Sequence, residues 1–408
     1  MKRPAPGLPS VASWLESWIV RCWTVLVCVQ HRMPQGGKEP TVMASVTPSV
    51  DLIHLGMDTS RDTIVVGILR PGEEIPAVDR VFNDEASVRR LIGRFADRSV
   101  LSACYEAGRG GYELHRLLTS MGVACEVVAP SLVPKGGSER VKTDKRDAIR
   151  LARLHRAGEL TAIHIPTPDQ EAVRDLVRVR GDLLADRKRA QVRITAMLMR
   201  HGRVWRAGAK WTATHRAWLG AQSFGEPALA ATFAHYRAAL DTRETELGAI
   251  ESELAGWACG GSLAPAVARL GCYRGVAALT ALTLASEVID WRRFPTARAF
   301  MGFTGLVPSE YSSGERTRRG HITKAGSEQI RTALIESAWS YRFRPAIGVT
   351  LRRRQDGAQP DTLAASWKAQ RRLHGKYQQM TARGKPAAVA IVAVARELAG
   401  FLHAEMTR

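Results

Sequence analysis

Four carboxylates and a pair of serines stand where chemistry on phosphate esters would need them. Asp58 closes a strand pattern, Glu106 closes a later one, and Asp144 and Asp147 open a helical pattern at i, i+3 and so share one face. Hard oxygen ligands at that density suit divalent cations, because Mg²⁺ demands octahedral oxygen coordination. The same acids gathered without metal would repel one another and hold protons. Taken singly, each acid has a plain role open to it, as a strand end, a surface residue, a helix cap or a partner of the helix dipole. Their joint placement favours the metal. The second group is Gly305-Leu306-Val307-Pro308-Ser309-Glu310-Tyr311-Ser312-Ser313-Gly314, followed by Arg316, Arg318, Arg319 and Lys324. A serine among cations is suited to attack phosphorus, since the charges stabilise both an alkoxide and a pentacovalent transition state. Spacing alone favours the simpler role, a loop that grips phosphate without reacting.

These residues need elements to hold them. β-Branched or alternating runs predict strands at 52–58, 63–69, near 77–82, at 100–106 and at 124–128. Helices fall between them, one through Val88, Leu91, Ile92 and Phe95, one near 114–118, and a last one over about 144–157. The order βββαβαβ and then a helix is that of an α/β RNase H-like (RuvC-like) domain. After Pro166 the pattern turns helical and no further strand is expected. Phe233, Tyr236, Leu240, Leu247, Ile250, Leu254 and Trp257 form a coiled-coil-like stripe, with a companion at Val173, Leu176, Leu183, Ile194 and Met197. An antiparallel hairpin, an intersubunit coil or two ordinary core-facing helices all satisfy it. Trp205, Trp211 and Trp218 lie among cations between the stripes, suited to packing or to stacking on nucleic acid. The turn around Arg274 and Gly275 resembles a helix-hairpin-helix element, whose outward amides hold phosphate.

Of 408 residues, 59 are Lys or Arg and 39 Asp or Glu, a net charge of +20. Nucleic acid is the expected partner, because clustered cations release counterions from a phosphate backbone. No membrane role is expected, and the six scattered cysteines, with no CxxC pair, fit a reducing cytoplasm. Residues 1–50 read as an extension, disordered or preceding a true start at Met43. The divisions expected after it are a catalytic domain over 51–162, a helical coiled-coil region over 163–262, a serine-bearing domain over 263–345, and a basic segment with a C-terminal helix over 346–408.

Two runs carry a family resemblance. Val141-Lys142-Thr143-Asp144-Lys145-Arg146-Asp147-Ala148, with Asp58 and Glu106 upstream, resembles the DEDD, RuvC-like domain of the IS-one-ten class of bacterial insertion-sequence transposases. Phe300-Met301-Gly302-Phe303-Thr304-Gly305-Leu306-Val307-Pro308, then Ser313-Gly314 and His321-Ile322-Thr323-Lys324-Ala325-Gly326, resembles that class's C-terminal transposase domain, mostly α-helical. The resemblance implies a recombinase cutting and joining donor and target DNA. Asp58, Glu106, Asp144 and Asp147 would bind Mg²⁺ or Mn²⁺, and Ser313, or its neighbour Ser312, would be the nucleophile. Lys142, Arg146, Arg274, Arg316, Arg318, Arg319 and Lys324 would meet nucleic acid. A structured non-coding guide RNA and a dimeric or tetrameric homo-oligomer are further implied partners, with the protein cytoplasmic and nucleoid-associated on DNA. A RuvC-like junction nuclease that leaves the serine idle, or an inactive nucleic-acid-binding remnant, are the alternatives.

Overall fold

The computed structural model describes residues 52–134, 143–313 and 316–408, with backbone alone at 312, 313, 316, 317 and 319. The chain separates after Ile165 into two units.

The first unit is a mixed five-stranded sheet in the order β3-β2-β1-β4-β5. Its strands are β1 (Ile53–Thr59), β2 (Thr63–Leu69), β3 (Ala77–Phe82), β4 (Leu101–Glu106) and β5 (Ala124–Val128). β1 runs antiparallel to β2, and β2 to β3; β4 lies parallel to β1, and β5 to β4. Side-chain alternation divides the sheet into two working faces. Leu55, Met57, Ile64, Val66 and Tyr105 face one core, completed by α1 (Glu85–Ile92) and α2 (Glu113–Ser120) through Val88, Leu91, Ile92 and Leu118. The opposite face receives α3 (Asp144–Arg156), and two glycines set how closely it approaches. A Cβ on Gly56 would come 2.5 Å from the Ala148 carbonyl oxygen, and one on Gly67 would come 2.6 Å from the same atom. Ala148 and Ala152, one turn apart and fully buried, are the matching small residues on the helix. A side chain at either glycine would lift α3 off the sheet.

The second unit, from Pro166, is mainly helical. Its first two long helices, α4 (Pro168–Arg200) and α6 (Pro227–Gly260), form an antiparallel hairpin, with α5 (Ala213–Gly220) at its far end. Val173 and Val177 cluster with Leu247, Ile250 and Leu254 near one end; Ile194 and Met197 cluster with Phe233 and Leu240 near the other. Each helix is about 50 Å long at 1.5 Å per residue. The tryptophans cap the far end. His215 is 3% exposed, its ring lies 5.4, 5.0 and 5.7 Å from those of Trp205, Trp211 and Trp218, and its Nδ1 accepts the Trp211 backbone N–H at 3.0 Å. Packing is the use the structure makes of them.

The rest of the unit shares one core. It contains α7 (Ala264–Gly271), α8 (Ala278–Val288), α9 (Ala297–Phe303), α10 (Glu328–Ala338), a 3₁₀ turn (Trp339–Arg342), α11 (Val349–Arg354), α12 (Pro360–Ala382) and α13 (Ala387–Thr407). By length and composition α13 is apolar enough to cross a membrane, but Ile391, Val394, Leu398 and Leu402 are fully buried in protein, as in a central core helix. The helix-hairpin-helix expectation meets a correction between α7 and α8. The turn lies inside the core, with Cys272, Tyr273 and Val276 at most 2% exposed. Gly275, at φ +81°, is pressed against the Ser337 carbonyl, so its missing side chain serves packing.

A second correction concerns strands. Residues past Pro166 do form a sheet, a two-stranded antiparallel ribbon of β6 (Pro308–Ser313) and β7 (Arg316–Ile322). Its sequence is too polar and too rich in serine, glycine and arginine to show the alternating apolar pattern by which strands are read.

Candidate active site

The acids of the first unit collect around the carboxyl end of the two central strands. Met57 pairs with Tyr105 in the parallel register of β1 and β4, and Asp58 and Glu106 are the next residue on each strand. Alternation turns both onto the α3 face, the face of Gly56. Above that row α3 begins. The Thr143 hydroxyl caps it by accepting the Arg146 N–H at 3.3 Å, and Asp144 and Asp147 fall in its first turn, where free backbone N–H groups favour negative charge. The close seat of Ala148 on Gly56 and Gly67 brings this turn down to the strand ends.

Arg150, one turn further along α3, joins two of the acids. Its Nη2 lies 2.9 Å from Asp147 Oδ1 and 3.8 Å from Glu106 Oε1. The Asp147 side chain is 9% exposed, that of Glu106 33%. Asp144 points outward and pairs with Arg80 of β3 at 3.7 Å. Asp58 is half-buried beside its β2 partner Val65. Glu106 and Asp147 thus converge on one cationic group, Asp58 occupies the neighbouring strand position, and Asp144 stands at the rim. Among the described residues no three of His, Cys, Asp or Glu are drawn together closely enough to hold a metal ion. As a donor set the four acids nevertheless fit a hard divalent cation, and two already point at one cation's position.

The opposite end of α3 has a different character. His155 packs edge-on against His54 of β1, ring centroids 5.0 Å apart, and lies 3.7 Å from Glu126. Burial and the neighbouring His54 lower the His155 pKa to about 4, so it is neutral in the folded protein. Burial also pushes the Cys125 thiol up to about 12, which leaves it unreactive.

In the second unit, Ser313 and Ser312 lie on β6 opposite Arg316 and Thr317 of β7. The side chains of Ser312, Ser313, Arg316 and Arg319 lie outside the described residues, as does the whole of Lys142. The glycines flanking the ribbon are structural. Gly305 and Gly326, both at φ +67°, press against Ala325 and Phe303, so that the two feet of the ribbon cross at close range. Thr323 N donates to Val307 O at 2.9 Å and Lys324 N to Gly305 O at 3.1 Å, while Arg331 Nη1 donates to Ala325 O at 2.9 Å. From this base the ribbon presents Tyr311, 77% exposed, with Arg318 directly across the register. Arg318, Lys324 and Arg146 are exposed. Arg274 instead donates to the Arg344 carbonyl at 2.7 Å, tying the buried turn to the segment after the 3₁₀ element. In the basic C-terminal segment, Arg372 and Lys376 are held by Glu397 at 2.6 and 2.8 Å, whereas Arg352 and Arg353 face solvent.

Two residues escaped the sequence reading, Arg150 and Tyr311. For Arg150 a signal existed, its i+3 spacing from Asp147 on one helix face; for Tyr311 there was none beyond its place beside the serines.

Comparison with known proteins assigns both units. Residues 55–202 match the DEDD transposase domain of the IS110 group, and residues 268–348 match the family described as Transposase IS116/IS110/IS902. The chain is 40% identical over 353 residues to a putative transposase, y4qE, of Sinorhizobium fredii, covering 86% of this chain and 87% of that one. It is 30% identical over 339 residues to the transposase for insertion sequence element IS1533 of Leptospira borgpetersenii, covering 82% of this chain and 98% of the other. The DEDD domain carries with it a dependence on divalent metal. An acid-lined sheet end in one unit, a basic ribbon in the other, and two domain matches in the same order lead to one conclusion: the chain belongs to the IS110/IS116 family of insertion-sequence transposases, enzymes that recombine DNA.

Proposed function

We propose that the protein moves an insertion sequence by a serine-mediated exchange of DNA strands that depends on Mg²⁺ at the DEDD acids. In this reading the first unit is an RNase H-like domain, and Asp58, Glu106, Asp144 and Asp147 are its metal ligands. Mg²⁺ bound there would withdraw charge from the scissile phosphate and favour an ionised nucleophile. The acids' own work is to hold ionised oxygens at fixed positions on two strand ends and one helix turn, rigid elements that resist reorganisation. Ser313, or the adjacent Ser312, would attack phosphorus. A bond forms from the serine oxygen to phosphorus, the bond from phosphorus to the sugar oxygen breaks, and the serine proton passes to the departing sugar hydroxyl. The covalent serine–phosphate ester conserves the phosphodiester's energy, so an incoming sugar hydroxyl reseals the strand by the reverse step without ATP.

The observation that carries this reading is the convergence of Glu106 and Asp147 on a single cation beside Asp58, at the carboxyl ends of the central strands. A ribbon of cations around the two serines supports the second half. A net charge of +20 suits DNA, and a structured guide RNA that selects donor and target sequence is proposed as the further partner, in a dimer or tetramer. The test is to trap a covalent protein–DNA adduct with Mg²⁺ and element-end DNA. The parent is expected to form it, and Ser313→Ala and Asp147→Asn to form none. If Ser313→Ala still cuts and yields free ends, the protein is a hydrolytic junction nuclease. An adduct retained by Ser313→Ala and lost in Ser312→Ala moves the nucleophile by one residue.

A further inference from the structure

Glu106 and Asp147 are joined by a group that metal coordination does not call for. Arg150 is largely buried, its side chain 20% exposed, and Nη2 sits 2.9 Å from Asp147 Oδ1 and 3.8 Å from Glu106 Oε1. Two carboxylates aimed at one sheltered nitrogen repel each other when nothing positive stands there. Without a cation to hold them the two side chains would swing apart, and the site would lose its shape. A guanidinium can prevent this, because one nitrogen, Nη2, faces both carboxylates and the group carries its charge at any physiological pH. A divalent cation at the same position would need the same oxygens at about 2.1 Å. The two cannot use them together.

We propose that Arg150 is the resident counter-ion of the acidic site: it neutralises Glu106 and Asp147 before a divalent cation binds and is displaced when one does. This rests on the reading of those acids as metal ligands. The arrangement also accounts for the spacing of the acids, which among the described residues brings no three together closely enough for a metal. With Nη2 at the shared position, the carboxylate oxygens stand 2.9 and 3.8 Å from it, and displacement lets them close on a smaller ion. A site built this way folds in the absence of metal, at the expense of affinity, since every incoming cation competes with an arginine.

The test uses the full chain in four forms, the parent, Arg150→Gln, Arg150→Lys and Asp147→Asn, with Mn²⁺ as the probe. Removing the competing charge is expected to tighten Mn²⁺ binding by about fivefold to tenfold, the low end of the coupling between two groups that compete for one position. In the same protein the metal-free melting temperature falls, and the rise caused by added Mg²⁺ becomes larger than in the parent. Arg150→Lys, which keeps a charge on a shorter side chain, lies between. Mn²⁺ affinity equal to or weaker than the parent's in Arg150→Gln overturns the proposal. If Arg150→Gln does not fold without metal, recovery by Mg²⁺ supports it. Labelling of the parent with phenylglyoxal, mapped by mass spectrometry, reads displacement directly: modification of Arg150 should accelerate on adding Mg²⁺, and an unchanged rate overturns the idea. Parent Mn²⁺ binding that survives Asp147→Asn defeats the metal assignment itself, and the counter-ion with it. Binding lost in Asp147→Asn but indifferent to Arg150→Gln defeats the counter-ion alone.

Discussion

Two carboxylate sites, one in each unit, solve the problem of a sheltered negative charge in opposite ways. Glu405 on α13 is fully buried and ringed by donors. The Tyr273 hydroxyl donates to Oε2 at 3.1 Å, Thr362 Oγ1 to Oε1 at 2.7 Å, Arg269 Nε to Oε1 at 3.2 Å and Arg408 Nη1 to Oε2 at 3.3 Å. Burial and Glu405 push the Tyr273 phenol upward, so it stays a proton donor. Those bonds run to α7, the turn after it, α12 and the C-terminal residue, and they lock the end of the chain into the core. Glu106 and Asp147 share Arg150 instead, and Glu106 remains a third exposed. A carboxylate closed by several fixed donors has been committed to stability. One that shares a displaceable cation at an accessible sheet end is available for a ligand.

Exchanging the two sites' roles by mutation is the sharpest way to break this contrast. Asp147→Asn or Glu106→Gln is expected to reduce DNA cleavage by about a hundredfold or more while the fold survives, as when a preorganised charged group is removed from a reaction centre; circular dichroism and cleavage assays read the two effects. Glu405→Ala should do the reverse, costing about 3 kcal/mol in denaturant unfolding, because it strands the buried partners of a satisfied charge. A Glu405 variant of parental stability, or an Asp147 variant that cuts normally, would erase the distinction. Gly56→Ala tests the link between fold and site. Its Cβ meets the α3 backbone, so a loss of about 1–3 kcal/mol is expected, with cleavage falling further than stability alone explains as the helix turn bearing Asp147 lifts.

Acid exposes the other end of α3. His155 is neutral when folded, with a pKa lowered to about 4, whereas in the unfolded chain it titrates near 6.5. The unfolded state therefore binds more protons between these values, and stability is lost as the pH falls from about 6.5 toward 4, by up to about 3 kcal/mol. Melting curves across that window should flatten in His155→Gln; an equally steep decline would assign the acid sensitivity elsewhere. The smallest effect is expected from Arg80→Ala. Its pair with Asp144 is 64% and 58% exposed, and such pairs are worth less than about 1 kcal/mol, so melting should barely move.

Much of the first unit was legible in the sequence. Its strands have dense β-branched runs bounded by turn residues, and the structure places β2, β3 and β5 at the expected residues. The two long helices were legible because a stripe repeating every three or four residues over about seven turns marks a helix, while their pairing as a hairpin was one of three arrangements the stripes allow. The ribbon bearing Ser312 and Ser313 was missed, because its strands are stabilised by pairing and by the crossing of Gly305 and Gly326 at its base, neither of which leaves an apolar period. Arg274 and Gly275 were read as phosphate binders from a motif that exposed and buried turns share; tertiary packing alone separates the two.

By itself the chain determined its element order in the sheet unit, its basic charge and the types of residue available for chemistry, since these follow from local propensity, periodicity and composition. Which acids converge, and on what, was decided only when Gly56 and Gly67 let α3 settle on the sheet and carried Asp147 and Arg150 to the strand ends beside Glu106. Spacing along a helix fixes which side chains share a face. Only the contact between helix and sheet fixes what that face meets.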